Sequence, residues 1–351
     1  MRRNKNKKAM FVIPNSYHSL LPWDETETAI KFIKATFQTQ LAEKLNLQRA
    51  TAPLFVLSGT GINDDLNGVE RPVAFDIPCM NQRAEVVHSL AKWKRAKLAT
   101  HSIPAGRGIY TDMNAIRAFE TLDNLHSLYV DQWDWELAIR HDERTTDFLK
   151  ATVEKIFKAM KETERAVCSR FPQLPPRLPD SITFIHTEDL LQAYPTLPPK
   201  ERETEAARRY GAVFLIGIGA PLSNGEPHDS RAPDYDDWTS SDDGTHRGLN
   251  GDIIVWDDIL NMPLELSSMG IRVDAKSLSL QLGLQNCRER ESLPFHAALL
   301  RGELPDSIGG GIGQSRLCMY LLHKAHIGEV QASIWPEEQA KECAAHGITL
   351  M

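Results

Sequence analysis

A chain of 351 residues, 42% hydrophobic and 25% charged, holds enough apolar material for one large core or two modest ones. Its net charge of -7 excludes a protein that lives on nucleic acid through a broad positive field, though a local basic groove is compatible with it. No apolar run is long enough to span a bilayer, and five scattered cysteines without CxxC spacing fit reduced thiols in the cytosol rather than a disulfide framework or a zinc site.

The basic start, Met1 to Lys8, precedes an apolar stretch too short for a signal-peptide core and reads as a solvated tail. The expected division is a tail over 1–25 and a single domain over 26–351. Over 26–46, Ala29, Ile30, Ile33, Phe37, Leu41 and Leu45 recur at helical spacing, and a short strand is expected at 54–57 beyond Pro53. Glu85-Val86-Val87 reads as a strand feeding a helix over 89–97, with Ser89 as N-cap and Lys94 and Arg95 on its wet face.

Two strands follow, 108–116 and 127–136, spaced to pair as an antiparallel ribbon. The second alternates, with Leu128, Val130, Gln132, Asp134 and Glu136 on one face and Tyr129, Asp131, Trp133 and Trp135 on the other. Next come a long helix over 147–170, a proline-rich surface crossing at 171–179, and strands at 182–185, 212–216, 252–256 and 264–273. A helix over 295–300, a glycine cluster at 309–313 and a helix over 312–323 close the pattern. Many strands with few obligatory strand–helix alternations predict an α+β fold with an antiparallel-rich sheet flanked by helices.

The run from Gly309 to Arg316 is neither a P-loop nor a dinucleotide fingerprint, because no Gly-Lys-Ser/Thr follows and Arg316 stands where a small residue is needed. It reads either as a flexible turn before a helix or as a backbone that lets a ligand approach, with Arg316 one turn into the helix. Arg117 ends a strand beside a polar loop holding Glu120 and His126. Asp252 and Glu265 lie on neighbouring predicted strands. Acids in apolar strands need a partner, here either Mg²⁺ or a buried arginine. The acidic segment from Arg231 to Trp238 carries a proline and two aromatics, unusual for a solvated turn.

These pieces, in this order, resemble the ammonia-dependent asparagine synthetase (aspartate–ammonia ligase) family. The blocks are 88–95, 131–136, 231–238, Gly248-Leu249-Asn250-Gly251-Asp252, 265–274 and 309–316, and the likeness runs from about residue 29 to about residue 336. The resemblance implies a core like the catalytic domain of class II aminoacyl-tRNA synthetases. The helix ending near Pro53 corresponds to the first motif, which builds a homodimer; Arg117 and the loop through His126 correspond to the second, and the glycine cluster with Arg316 to the third. The family's arginine-x-glutamate is stretched here to Arg117-Ala118-Phe119-Glu120.

By the same resemblance, the β-carboxylate of L-aspartate attacks the α-phosphorus of ATP, and ammonia then displaces AMP from β-aspartyl-AMP. Arg117 would clamp the α-phosphate, Arg316 the γ-phosphate and adenine, with Gly311 and Gly313 beside the nucleotide and Asp252 and Glu265 holding Mg²⁺. Lys94 and Arg272 would grip the α-carboxylate, with Ser268 in the same subsite. Asp64, Gln132 and Asp134 would take the α-ammonium, and Asp236 the incoming ammonia or the reacting carboxylate.

Three rivals carry less. A tRNA ligase would need an anticodon-binding domain, and fewer than thirty residues precede the first helix. A glutamine-fed synthetase would need an N-terminal cysteine where Arg2 stands. A non-catalytic relative predicts losses among the charged residues, yet Arg117, Asp252, Glu265, Arg272 and Arg316 are all present. The expected partners are aspartate, ammonia, ATP and a second copy, without nucleic acid or membrane.

Overall fold

A computed structural model describes residues 11–64 and 71–351, so the basic start Met1 to Lys8 lies outside the described residues. Helix α1, Trp23–Leu45, begins ahead of the expected boundary at 25/26 and buries Ile33, Phe37 and Leu41 on one stripe. Among the described residues just upstream of it, several pack against the domain. Leu21 is buried, the Val12 peptide exchanges two 2.8 Å hydrogen bonds with the Asn124 side chain, and Tyr17 donates to Glu329.

Strand β1 (Leu47–Arg49) runs parallel to β5 (Gly108–Ile116), which pairs antiparallel with β6 (Tyr129–Ala138), the ribbon expected from the sequence. Between them, β2 (Phe55–Leu57), β3 (Ala74–Ile77) and β4 (Gln82–Val86) form a separate three-stranded sheet. β4 feeds α2 (Ala91–Thr100), whose N-cap is Leu90 rather than Ser89. Ser89 still accepts from the Ala91 N–H at 3.1 Å from one place upstream. Lys94 and Arg95 are buried, not on a wet face, because α2 lies against β5 and β6.

After α3 (Thr146–Arg170) the chain adds β7 (Thr183–His186), α4 (Thr187–Ala193), α5 (Pro199–Tyr210) and β8 (Ala212–Ile216). Then come β9 (Asn250–Asp257), β10 (Met262–Ile271), α6 (Ala275–Leu284), α7 (Pro294–Leu300), β11 (Ser307–Gly313), α8 (Gln314–Leu321) and α9 (Glu337–Ala345). The large sheet has eight strands in the order β1-β5-β6-β11-β10-β9-β8-β7, and only its two outermost pairs are parallel.

One face of this sheet packs on α1, α3 and α8. Trp133 and Trp135 are fully buried there, and Phe37 lies 4.6 Å from the Trp133 ring. The other face is covered at one end by α2 and at the other by α4 and α5, which leaves its middle strands as the floor of a cleft. Among the described residues, no helix is long and apolar enough to cross a membrane.

The glycine cluster is not a turn but β11, hydrogen-bonded between β6 and β10. Register explains its composition. Gly309, Gly311 and Gly313 stand opposite Glu136, Asp134 and Gln132, while Ile308, Gly310 and Ile312 stand opposite Leu137, Trp135 and Trp133. Directly paired residues share a face, so past Ser307, which donates to Glu136, β11 offers isoleucines to the core and only glycines to the cleft. A β-carbon at Gly309 would fall on the Glu136 carboxylate, and one at Gly311 on the Gln132 amide.

Past α8 the chain is anchored by His326, buried between Phe11 and Trp335. Burial pushes this imidazole down to about 4 from 6.5. The unfolded chain therefore takes up a proton first, and stability is expected to be full above pH 6.5 and to fall as pH drops toward about 4. The loss is at most about 3 kcal/mol. Urea midpoints measured across this window should slope in the wild type and flatten in His326→Gln.

Candidate active site

The cleft, about 360 Å³, is lined along one side by Arg117, Glu120, His126 and Gln132 and along the other by Arg231, Glu265, Ser268 and Arg316. Gly311 and Gly313 lie on its floor. One transverse row of the sheet sets Asp252, Ser268, Gly311 and Asp134 side by side on β9, β10, β11 and β6. The bulge between Glu265 and Ser267 interrupts this register where Glu265 meets the cleft.

The cleft has two electrostatic ends. At the outer end, Arg117 closes β5, its backbone N–H donating to Leu128 O. Among the described residues its guanidinium forms no ion pair, and its Nε is buried without a hydrogen-bond partner. Arg316, in the first turn of α8, donates to Glu265 O at 3.0 Å and stays within 4.0 Å of the Glu265 carboxylate. His126 is held through Nδ1 by Asp123 at 2.9 Å.

At the inner end, cations and acids neutralise one another. The Lys94 ammonium donates to Asp134 (2.5 Å), Trp135 O (2.9 Å) and Gly310 O (3.2 Å), and lies 3.9 Å from Glu136. Burial pulls its pKa down, against Asp134 and Glu136, which favour the charge. Arg272 holds Glu136 through Nε and Nη2 and Asp236 through Nη1 at 2.5 Å. Burial opposes ionisation of Glu136, but Arg272 and then Lys94 keep its carboxyl below the usual range.

The acidic segment at 231–238 is folded in rather than solvated. Asp236 bridges to Arg272, Asp237 N–H donates to Ile271 O and Val273 N–H to Tyr235 O, so the segment runs along the end of β10. Asp64 is buried, its backbone N–H donating to the Asn63 side chain.

Asp252 and Glu265 lie on adjacent strands as expected, and each has an arginine near it. Arg231 donates to Asp252 at 2.6 Å. Burial, with Glu265 adding to it, pushes Asp252 up to about 6 against the pull of Arg231. Burial acts the same way on Glu265, but Arg316 and Arg231 hold it below its ordinary value. Two hard carboxylates at the edge of a cleft, one of them reluctant to ionise, are a donor set that suits Mg²⁺ shared with phosphate oxygens.

The structure thus brings Arg117, Gln132, Glu265, Ser268, Gly311, Gly313 and Arg316 to the cleft wall, and Lys94, Asp134, Asp236 and Arg272 to its inner end. Two residues escaped the sequence reading. Glu136 shares a strand face with Gln132 and Asp134, so its alternation was a usable signal. Arg231 sits at the edge of the acidic segment, and only the fold carries it to Asp252.

The sequence pattern that defines aspartate–ammonia ligases matches residues 24–347. The chain belongs to the aspartate–ammonia ligase family. It is 60% identical to the aspartate–ammonia ligase of Parabacteroides distasonis over 96% of this chain and 98% of the relative. It is 52% identical to that of Clostridium perfringens, over 97% of this chain and 98% of the relative. Among solved structures, the asparaginyl-tRNA synthetase of Pyrococcus horikoshii with asparaginyl-adenylate superposes with a TM-score of 0.65 at 14% identity, covering 89% of this chain and 70% of that one. An aspartyl-tRNA synthetase from Entamoeba histolytica gives 0.60 at 14% identity, over 87% and 58%. At that identity the likeness speaks for the fold alone: this chain has the α+β architecture of the class II synthetase catalytic core.

Proposed function

We propose that this chain, an aspartate–ammonia ligase that makes asparagine from aspartate and ammonia, works through β-aspartyl-AMP with release of diphosphate. The observation that carries this reading is the division of the cleft, with an arginine that has no ion pair among the described residues at the outer end and an amino-acid subsite of paired cations and acids at the inner end. Two anions must meet at phosphorus, so the outer end has to supply positive charge that the protein does not itself consume.

In this reading Lys94 and Arg272 hold the α-carboxylate, with Ser268 beside it, and Asp64, Gln132 and Asp134 receive the α-ammonium. The β-carboxylate then points outward to Arg117. Arg117 neutralises the α-phosphate as the carboxylate attacks, and Arg316, with Arg231 near it, fixes the far phosphates. Gly311 and Gly313 let the nucleotide lie close to the backbone. Asp236 stays at the reacting carboxyl, one of its oxygens buried without a hydrogen-bond partner and 3.8 Å from Arg231 Nε. Asp252 and Glu265 would hold Mg²⁺, which supplies charge neutralisation for the phosphates when bound.

The reading includes a homodimer, supported by the exposed Leu54, Phe55 and Phe75 next to the first-motif segment, where the Phe55 and Phe75 rings meet at 5.1 Å. It also includes a cytoplasmic location, in keeping with five free cysteines. The decisive assay supplies ATP, aspartate and ammonium and follows nucleotide and amide together. AMP and asparagine should appear in equal amounts; ADP in place of AMP rules out the adenylate route.

A further inference from the structure

The segment from Arg231 to Trp238 carries three aspartates, and each has gone to a different cation. Asp234 meets Lys92 at 2.9 Å, Asp237 meets Arg144 at 2.7 Å, and Asp236 meets Arg272 at 2.5 Å. The first two pairs serve as anchors on either side. The third lies in the aspartate subsite, and a carboxylate that must answer to a substrate cannot also be what holds its own segment in place. An anchor for Asp236 therefore has to act through its main chain. A single antiparallel bridge between Asp236 and Arg272 supplies part of it, through Asp237 N–H to Ile271 O and Val273 N–H to Tyr235 O.

Gln281 supplies the rest. Its side chain, wholly buried on α6, donates from the amide nitrogen to Asp236 O at 3.0 Å and to Pro233 O at 2.9 Å. The amide oxygen accepts from Trp238 N–H at 2.9 Å and from the Thr239 hydroxyl at 3.1 Å. Carbonyls only accept and a peptide N–H only donates, so these partners permit one amide orientation and use all four of its hydrogen-bonding positions. Every one of them is spent on the stretch 233–239. The helix that carries Gln281 is itself tied to Arg272, since only Val273 and Asp274 lie between them. Asp274 caps α6, its carboxylate accepting from Ser277 N–H at 2.7 Å, and Leu278 and Leu282 pack in one cluster with Val273. Arg272 and Gln281 thus belong to one firmly held stretch, the first gripping the Asp236 carboxylate and the second the Asp236 carbonyl.

We propose that Gln281 is a positioning residue for the amino-acid subsite: it holds the main chain of Asp236 so that the carboxylate stays on Arg272 and faces the aspartate substrate. The inference rests on the reading above that places Asp236 at the reacting carboxyl. Gln281 does not line the cleft, so its effect reaches the reaction only through Asp236.

The test uses the full chain as Gln281→Glu, as Asp236→Asn and as the two combined. Glutamate keeps the side-chain length and the acceptor for Trp238 and Thr239, but it has at most one O–H for the two carbonyls. Gln281→Met takes its place should Gln281→Glu fail to fold. Asparagine formation is measured against aspartate and against ATP, well below each variant's unfolding midpoint. Gln281→Glu should raise KM for aspartate and lower kcat/KM for aspartate by about 10²-fold, the loss that a misplacement of about 1 Å can bring, with KM for ATP unchanged. Asp236→Asn should show the same aspartate-specific loss. The combined variant should be no slower than Asp236→Asn alone, because residues acting as one unit do not add. Losses that multiply in the combined variant, wild-type kinetics in Gln281→Glu, a loss confined to kcat or shared by both KM values, or failure of both Gln281 variants to fold would each make Gln281 a structural residue and overturn the proposal. Wild-type kinetics in Asp236→Asn would instead remove Asp236 from the site and sink the reading on which the inference rests.

Discussion

Lys94→Met is expected to abolish measurable aspartate binding and to lower stability by about 3–5 kcal/mol, the range found when one partner of a buried ion pair is removed. Both effects follow from one position. Lys94 is wholly buried, and its three N–H donors are spent on Asp134, Trp135 O and Gly310 O. Methionine fills similar volume but leaves the Asp134 carboxylate without its cation and Glu136 with Arg272 and the Ser307 hydroxyl. The α-carboxylate of aspartate would then approach an inner end that is already net negative. Calorimetric titration with aspartate and urea unfolding measure the two losses separately. Adding Asp134→Asn should restore most of the stability, because the stranded charge disappears, but not the binding. Aspartate affinity that survives Lys94→Met would remove Lys94 from the substrate site altogether.

Much of this arrangement was legible before any fold was known, and the gaps have physical causes. Strand β6 could be read from alternation alone, because one of its faces meets the tryptophan core and the other a polar cleft. Strand β11 could not: past Ser307, glycines stand at every cleft-facing position, and what they make room for, Glu136 and Gln132, lies on another strand. A strand without side chains on one face has no period to detect. The wet-face reading of α2 failed for a related reason. Lys92, Lys94 and Arg95 look like a solvated face, yet each meets a buried acceptor: Asp234, Asp134 and Val273 O respectively. Polarity predicts exposure only when no partner waits inside, and these partners are supplied by residues 40 to 178 positions away. The packing of the segment ahead of α1 was hidden for the same reason, because its anchors, Asn124 and Glu329, are remote in sequence.

Arg117 should behave in the opposite way to Lys94. Arg117→Met is expected to slow adenylate formation by about 10²–10³-fold, the loss seen when one pre-set donor to developing transition-state charge is removed. Stability should hold or rise slightly. The difference lies in what each cation does in the empty protein. Lys94 balances buried acids, whereas Arg117 forms no ion pair among the described residues and holds a buried Nε with nothing to donate to. Removing it strands no partner and relieves an unsatisfied donor. Aspartate affinity should change little, since the α-carboxylate is bound at the other end of the cleft. Arg117→Lys should recover only part of the rate, because a compact ammonium cannot reproduce the planar fork that spans two phosphate oxygens. Rapid-quench measurement of pyrophosphate release, together with urea midpoints, gives the two quantities. A rate close to wild type would leave the α-phosphate without its clamp, and a large stability loss would mean that Arg117 serves the fold rather than the reaction.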